Sequence, residues 1–332
     1  MPNINDTYAS VLSGYSGSVN DRRSELLTGI LAYAKPLSLN DMEAAALASL
    51  GYTGALNDAW DKYIKALGGF GFSAKADYLS STFYGIPTPL LFAASEPGVW
   101  YDPSDLTTLF QDSAGTTPVT AAGQSVGKML DKSGRGNHAT QATSTQRPTY
   151  QIDSSGKPYL LFDGVDDGMV TNTITPNINK VQVFSGVRKL SDALRAVVAE
   201  MSASIAGNAG VFTLITSSSS GPNYTFSSKG TVQTDNVAST YTAPITNVVS
   251  ALGDISAPSS LVRVNGSQVG SVLTTQGTGN YLAYPLYIGR RGGSSLPFSG
   301  RIYSLIVRFG PNLTTGQITS TEKWVNSKTG AF

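Results

Sequence analysis

At 332 residues the chain has room for one large domain and a smaller one. Charged residues make up only 14% and the formal net charge is +1, which removes any electrostatic case for nucleic acid or an anionic membrane surface as partner. There is no Cys, so neither a disulfide framework nor a thiolate metal site is possible.

The first residues, MPNINDTYAS, carry no basic stretch followed by an apolar run, so no signal peptide is expected. No apolar run approaches the ~18 residues of a membrane span. The sequence predicts a soluble protein that folds in a cytoplasm. Residues 1–95 read as a small helical module. Leu26, Leu27, Ile30, Leu31 and Ala34 fall at helical spacing, as do Trp60, Ile64 and Leu67. Inside it lies a repeat, Gly14-Tyr15-Ser16-Gly17-Ser18-Val19-Asn20-Asp21 against Gly51-Tyr52-Thr53-Gly54-Ala55-Leu56-Asn57-Asp58. Gly14 and Gly51 suit the end of one helix, and Asn-Asp supplies capping oxygens for the next. Such units resemble the N-terminal parts of tailed-phage virion proteins, which implies a module that attaches the chain to other virion proteins of a capsid or tail.

Gly68-Gly69-Phe70-Gly71 and Ile86-Pro87-Thr88-Pro89 end the helical pattern. The border is placed near Ala94 to Pro97. Leu90-Leu91-Phe92 is either a first strand or an apolar plug against the next domain.

From residue 97 to 332 the pattern is strand and turn, closed by a short helix. Val181 to Val187, Ala196 to Met201 and Val211 to Ile215 read as strands. Asn265-Gly266 between two β-rich arms predicts a type I′ hairpin. The closing helix is expected over Thr315 to Lys328, with Ile318 and Trp324 as its packing residues. The fold class is therefore α+β and multidomain: an N-terminal helical module, then an all-β sandwich.

Three segments carry a family likeness: Trp100 to Asp105, Asp131 to His138 (DKSGRGNH) and Tyr159 to Asp167 (YLLFDGVDD). In this order, with the later Asn265-Gly266, Tyr287-Ile288-Gly289 and Phe298 to Ile302, they resemble laminin G-like, concanavalin A-like lectin sandwiches. The resemblance implies a jelly-roll sandwich over 97–332. Glucanases of that fold use paired glutamates in an E-x-D-x-x-E pattern. Here the chain has few Glu, and only Glu200 falls in a plausible strand, without a second carboxylate nearby. No G-x-S-x-G elbow surrounds any Ser. His138 is read as a turn histidine that bonds backbone beside Asn137. The expectation is that the chain is not an enzyme.

Two binding chemistries stay open. Asp163, Asp166 and Asp167 offer hard oxygens of the kind calcium prefers, although Asp-Gly turns also end strands routinely; no other cofactor is expected. Tyr224, Tyr241, Tyr281 and Tyr284 lie in turn-rich stretches where they could stack on sugar rings, with Arg290 beside them as a possible grip. The neighbouring Arg290-Arg291 stretch otherwise reads as a solvated loop. Together these readings predict a virion structural protein of the tail-fibre, head-fibre or decoration type, located in the virion and assembled as a homotrimer. Its helices would dock on the particle while the sandwich meets a host-surface glycan. The alternatives are a glycan hydrolase with an unrecognised site and a cellular carbohydrate-binding adhesin.

Overall fold

A computed structural model describes residues 91–218, 221–257 and 259–332. The helical module, its repeat and the expected particle attachment lie outside the described residues. Of the two units into which the chain divides, the later one is Thr88–Phe332.

In chain order the strands are β1 (Gly98–Tyr101), β2 (Leu109–Phe110), β3 (Lys128–Met129), β4 (Ala139–Thr140), β5 (Thr149–Ile152), β6 (Pro158–Asp163), β7 (Met169–Ile174), β8 (Lys180–Lys189), β9 (Ala196–Met201), β10 (Val211–Ser218), β11 (Gly221–Lys229), β12 (Gln233–Ser239), β13 (Ile245–Asp254), β14 (Ser259–Val264), β15 (Ser267–Val272), β16 (Tyr284–Ile288) and β17 (Ser299–Phe309), before helix α1 (Thr315–Thr329). They form two antiparallel sheets. One has eight strands in the order β15-β14-β13-β8-β17-β6-β5, with β1 also on β17. The other has nine, ordered β12-β11-β10-β9-β16-β7-β4-β3-β2. The expected sandwich is thus present.

Period-two alternation fills its interior. Val181, Val183 and Val187 of β8 and Leu305, Val307 and Phe309 of β17 face Phe212 and Leu214 of β10, Phe226 of β11 and Leu286 and Ile288 of β16. Phe212 is the hub: its ring centre lies 6.0 Å from Phe309 and 6.1 Å from Phe226.

The outer face of the eight-stranded sheet is covered by α1. Thr314 and Gln317 cap its start reciprocally, and Gly330 ends it at φ 63°. Val325 is its fully buried packing residue, and the expected Ile318 is half-buried beside Leu252, Leu261 and Leu313. Gly186 on β8 opens the space for Val325, since a Cβ there would sit 2.4 Å from Thr329 Cγ2. Trp324 does pack, edge-on to Trp100 at 5.5 Å. Glu322, 1% exposed, meets Arg263 Nε at 2.7 Å.

Leu91 and Phe92 are a plug, not a strand. Both are buried, and Arg308 holds the segment by donating to the Leu91 carbonyl (2.6 Å) and pairing with Glu96 (2.7 Å).

The hairpin forms as read. Asn265 and Gly266 take φ 51° and 78° between β14 and β15, the geometry of a type I′ turn. Asn265 Oδ1 accepts from Val248 N (2.9 Å), which ties the turn to β13. Gly266→Val should cost roughly 1–3 kcal/mol through strain at positive φ. Thermal melts of the variant check this, and an unchanged midpoint would contradict the assignment.

Candidate functional site

The motif residues that carry the family likeness turn out to be structural. Asp131 accepts from Trp100 N (2.8 Å), Ser133 N (2.9 Å), Ser133 Oγ (2.7 Å) and Asn137 N (3.0 Å), so one buried carboxylate fastens β1 to the glycine-rich turn. His138 Nδ1 accepts from Asp131 N at 3.0 Å, the backbone role expected of it. Asp102, 3% exposed, sits between Lys328 (3.1 Å) and Lys132 (3.5 Å). Against the upward push of burial, those two ammonium groups hold its carboxyl below the ordinary range.

Asp163, Asp166 and Asp167 come together in the β6–β7 turn, each offering an oxygen within 4.8 Å of the others. Much of their capacity is used internally. Asp163 Oδ1 accepts from Val165 N (2.8 Å) and Asp166 N (3.2 Å), and Asp167 Oδ2 accepts from Asp163 N (3.0 Å). Burial, with the charges of Asp163 and Asp166 adding to it, pushes Asp167 up to about 7. The donor set is of the hard, all-oxygen kind that suits calcium. Arg290 reaches the same turn, donating from Nη1 to the Asp166 carbonyl (2.9 Å) and from Nη2 to the Ser294 carbonyl (3.2 Å).

The expected tyrosine platform is not assembled. Tyr224 and Tyr281 are completely buried, because their strand and loop positions place them on the inward side. Tyr281 lies against Phe309 (5.6 Å) and Ser228 (2.6 Å). Tyr284, at the start of β16, and Tyr241 are only partly buried and pack on the core from outside. Only Tyr224 and Tyr241 meet, with ring centres 5.4 Å apart.

Beneath that pair lies a polar group that sequence reasoning missed. Lys189 is fully buried, with Nζ 2.7 Å from Asp192 Oδ1 and 5.1 Å from the centre of the Tyr224 ring. Burial lowers its pKa against the opposing pull of Asp192. Asp192 also accepts from Ser217 Oγ and from Ala243 N (2.5 Å). Against the upward push of burial, these contacts and Lys189 lower its carboxyl. The available signal was the parity of β8, which turns Lys189 inward with Val183 and Val187.

Glu200 stands on the outer face of the nine-stranded sheet. One continuous row crosses that face: Phe110, Lys128, Thr140, Val170, Tyr287, Glu200, Thr213, Ser227 and Asp235, each paired with the next across adjacent strands. Glu200 is fully buried at its centre, bonded to Arg291 Nε (2.7 Å) and Ile205 N (2.7 Å). Arg291 is therefore an ion-pair partner and not part of a solvated loop.

The architecture places the unit among two-sheet antiparallel β-sandwiches with a C-terminal helix. Solved structures of two kinds illustrate the likeness. A mutant GH54 α-L-arabinofuranosidase, soaked with 4-nitrophenyl α-L-arabinofuranoside, matches at a TM-score of 0.52 and 13% identity, over 73% of this chain and 66% of that one. An arabinofuranosidase complexed with arabinofuranosyl-α-1,2-xylobiose gives 0.49 and 14%, over 72% and 65%. Botulinum neurotoxin type C, which interacts with two ganglioside molecules, gives 0.46 and 9%, over 70% of this chain and 51% of the toxin chain. No protein-family model and no curated protein sequence matches the chain.

Proposed function

We propose that this is a non-enzymatic adhesion protein of a tailed-phage virion, with the β-sandwich displayed to bind host-surface glycan and the N-terminal region attaching it to the particle. The observation that carries the reading is the state of Glu200. The one glutamate on a strand of the sandwich is buried in an ion pair with Arg291, whereas two-carboxylate hydrolysis needs an acid and a base separated by roughly 5–10 Å across a substrate. The resemblance of the GYSGSVND and GYTGALND repeats to virion proteins supports the location, and the lectin-like motif order supports the ligand class. A homotrimer belongs to the same reading.

Incubating the full chain with a glycan array tests adhesion: retention of intact glycan is expected. Release of cleaved sugar that disappears in Glu200→Gln would move the chain to the hydrolases. Deleting residues 1–87, which leaves the Thr88–Phe332 unit with its Leu91-Phe92 plug intact, is expected to abolish incorporation into particles and to reduce the oligomer mass; normal incorporation would overturn the attachment role.

A further inference from the structure

Helix α1 covers only part of the outer face of the eight-stranded sheet. Its last turn lies over Gly186 of β8, against Val325 and Thr329. The next outward position on β8 is Arg188, because Val187 points into the core. Arg188 is the register partner of Arg301 on β17, which is outward for the same reason: its neighbour Ile302 is a core residue. Directly opposed residues on one face of an antiparallel pair hold their Cβ atoms about 4.5–5.5 Å apart. Two guanidinium side chains are therefore set side by side next to the helix end, both partly exposed.

This arrangement departs from how the sandwich treats its other arginines. Arg263, Arg291 and Arg308 each meet a glutamate at 2.7 Å. Among the described residues no carboxylate lies within 4.0 Å of Arg188 or Arg301. Asp153 and Arg301 both border Tyr303, but Asp153 accepts from Tyr303 Oη (3.1 Å) and from the amides of Ser155 and Lys157 (2.9 Å each). Like charges directly opposite each other destabilise a sheet. The two heads are also held in place. Arg188 Nη1 donates to Thr246 Oγ1 at 2.9 Å, and the Arg301 guanidinium lies 4.5 Å from the centre of the Tyr159 ring. Both Nε atoms are shut away from water without a partner, whereas no Nη atom of the pair is both buried and unpaired. The terminal nitrogens are thus where an opposite charge can be received.

We propose that Arg188 and Arg301 together bind one oxyanion, the carboxylate, sulfate or phosphate group of an acidic host-surface glycan. Each guanidinium presents a planar fork of N–H donors that matches two oxygens of such a group, and two forks at this spacing reach it from both sides. The anion also removes the repulsion between the two arginines, which a neutral sugar would leave in place. The wider surface offers no basic field for a polyanion, since the net charge is only +1, so the site suits a single acidic group. The inference rests on the adhesion reading above and specifies the chemistry of its glycan.

The test titrates the full chain calorimetrically with methyl glucuronide, with glucose sulfated or phosphorylated on its primary hydroxyl, and with methyl glucoside as the neutral control. At least one acidic sugar is expected to bind about tenfold or more tightly than the glucoside, and Arg188→Gln should remove that advantage. The same sugar should raise the melting temperature of the parent and not of Arg188→Gln. Without ligand this variant should melt no lower than the parent, because it ends the opposition of two like charges; a clear drop would show that Arg188 already has a stabilising partner and would overturn the site. Arg301→Gln should lose the acidic preference too. It also gives up the Tyr159 contact, so Arg188→Gln decides if Arg301→Gln fails to fold. If no acidic sugar binds better than the glucoside, or if the preference survives Arg188→Gln, this site is overturned and the adhesion reading stands. Inorganic sulfate or phosphate bound as tightly as the sugar-borne group would make the ligand a free ion and overturn the glycan assignment. Absence of any glycan binding, on the array as well as in the titrations, overturns both.

Discussion

Arg291→Met is expected to lower the unfolding free energy by about 3–5 kcal/mol, the range for removing one member of a buried ion pair. Glu200 is completely enclosed, and its Oε2 receives Arg291 Nε at 2.7 Å. With the guanidinium gone, the carboxylate keeps the Ile205 amide on Oε1 (2.7 Å) and a long contact from Thr213 Oγ1 (3.4 Å). Two neutral donors do not replace a counter-charge in a site closed to water. The effect should reach beyond the pair, because the Ile205 contact fastens the 202–210 loop over the sheet. The loop is held elsewhere as well, by Lys229 Nζ on the carbonyls of Ile205 (2.9 Å) and Ala206 (3.0 Å) and by Ser202 N on the Pro285 carbonyl (2.9 Å). Glu200→Gln combined with Arg291→Met should recover more than half of the loss, since no charge is then buried. Urea titrations of the three variants measure this. A loss under about 1 kcal/mol for Arg291→Met would mean that water reaches Glu200, and would reopen it as a base for hydrolysis.

That pair also shows where sequence reading stops. Local pattern was legible: Ala196 to Met201 is a strand with the bounds read from its apolar run, and Asn265-Gly266 turns as its residue types require. The closing helix runs one residue past its expected end. Pairing between distant segments was not legible. Glu200 on β9 and Arg291, three residues beyond the end of β16, become neighbours because β16 inserts beside β9. A lone carboxylate in an apolar strand signals the need for a partner, but nothing local names it. The tyrosines failed for a related reason. Turn-rich flanks suggested exposure, yet Tyr224 shares its inward parity with Phe226, a pattern visible in β11 itself. Tyr281 is drawn in by a bridge to Ile178, far away in the chain. Strands β2, β3 and β4, of two residues each, are too short for any periodicity to register.

Asp167→Asn is expected to stabilise the protein at pH 8 by roughly 1–3 kcal/mol and to change nothing at pH 4. Asp167 is 6% exposed, and burial, followed by the charges of Asp163 and Asp166, raises its folded pKa to about 7, against ~3.9 for an unfolded Asp. The sign follows from proton counts. Below pH 4 both states are protonated, and the residue costs nothing. Between about pH 4 and 7 the unfolded chain releases its proton while the folded chain keeps it, so stability falls as pH rises. Above 7 the loss is complete. A shift of about three units, at 1.36 kcal/mol each, sets a ceiling near ~4 kcal/mol. Water at the mouth of the turn screens the three carboxylates from one another, which brings the expected effect below that ceiling. Asn preserves the acceptor for Asp163 N and never ionises, so the variant should lack this slope. Melts of both proteins from pH 4 to 9 measure it, and parallel curves would overturn the assignment. The same melts decide the calcium question. A cation held by Asp163, Asp166 and Asp167 would replace the proton, so millimolar calcium should flatten the slope in the parent and leave Asp167→Asn unaffected. A parent slope indifferent to calcium would reduce the cluster to a strand-ending turn whose third carboxylate is carried at a cost.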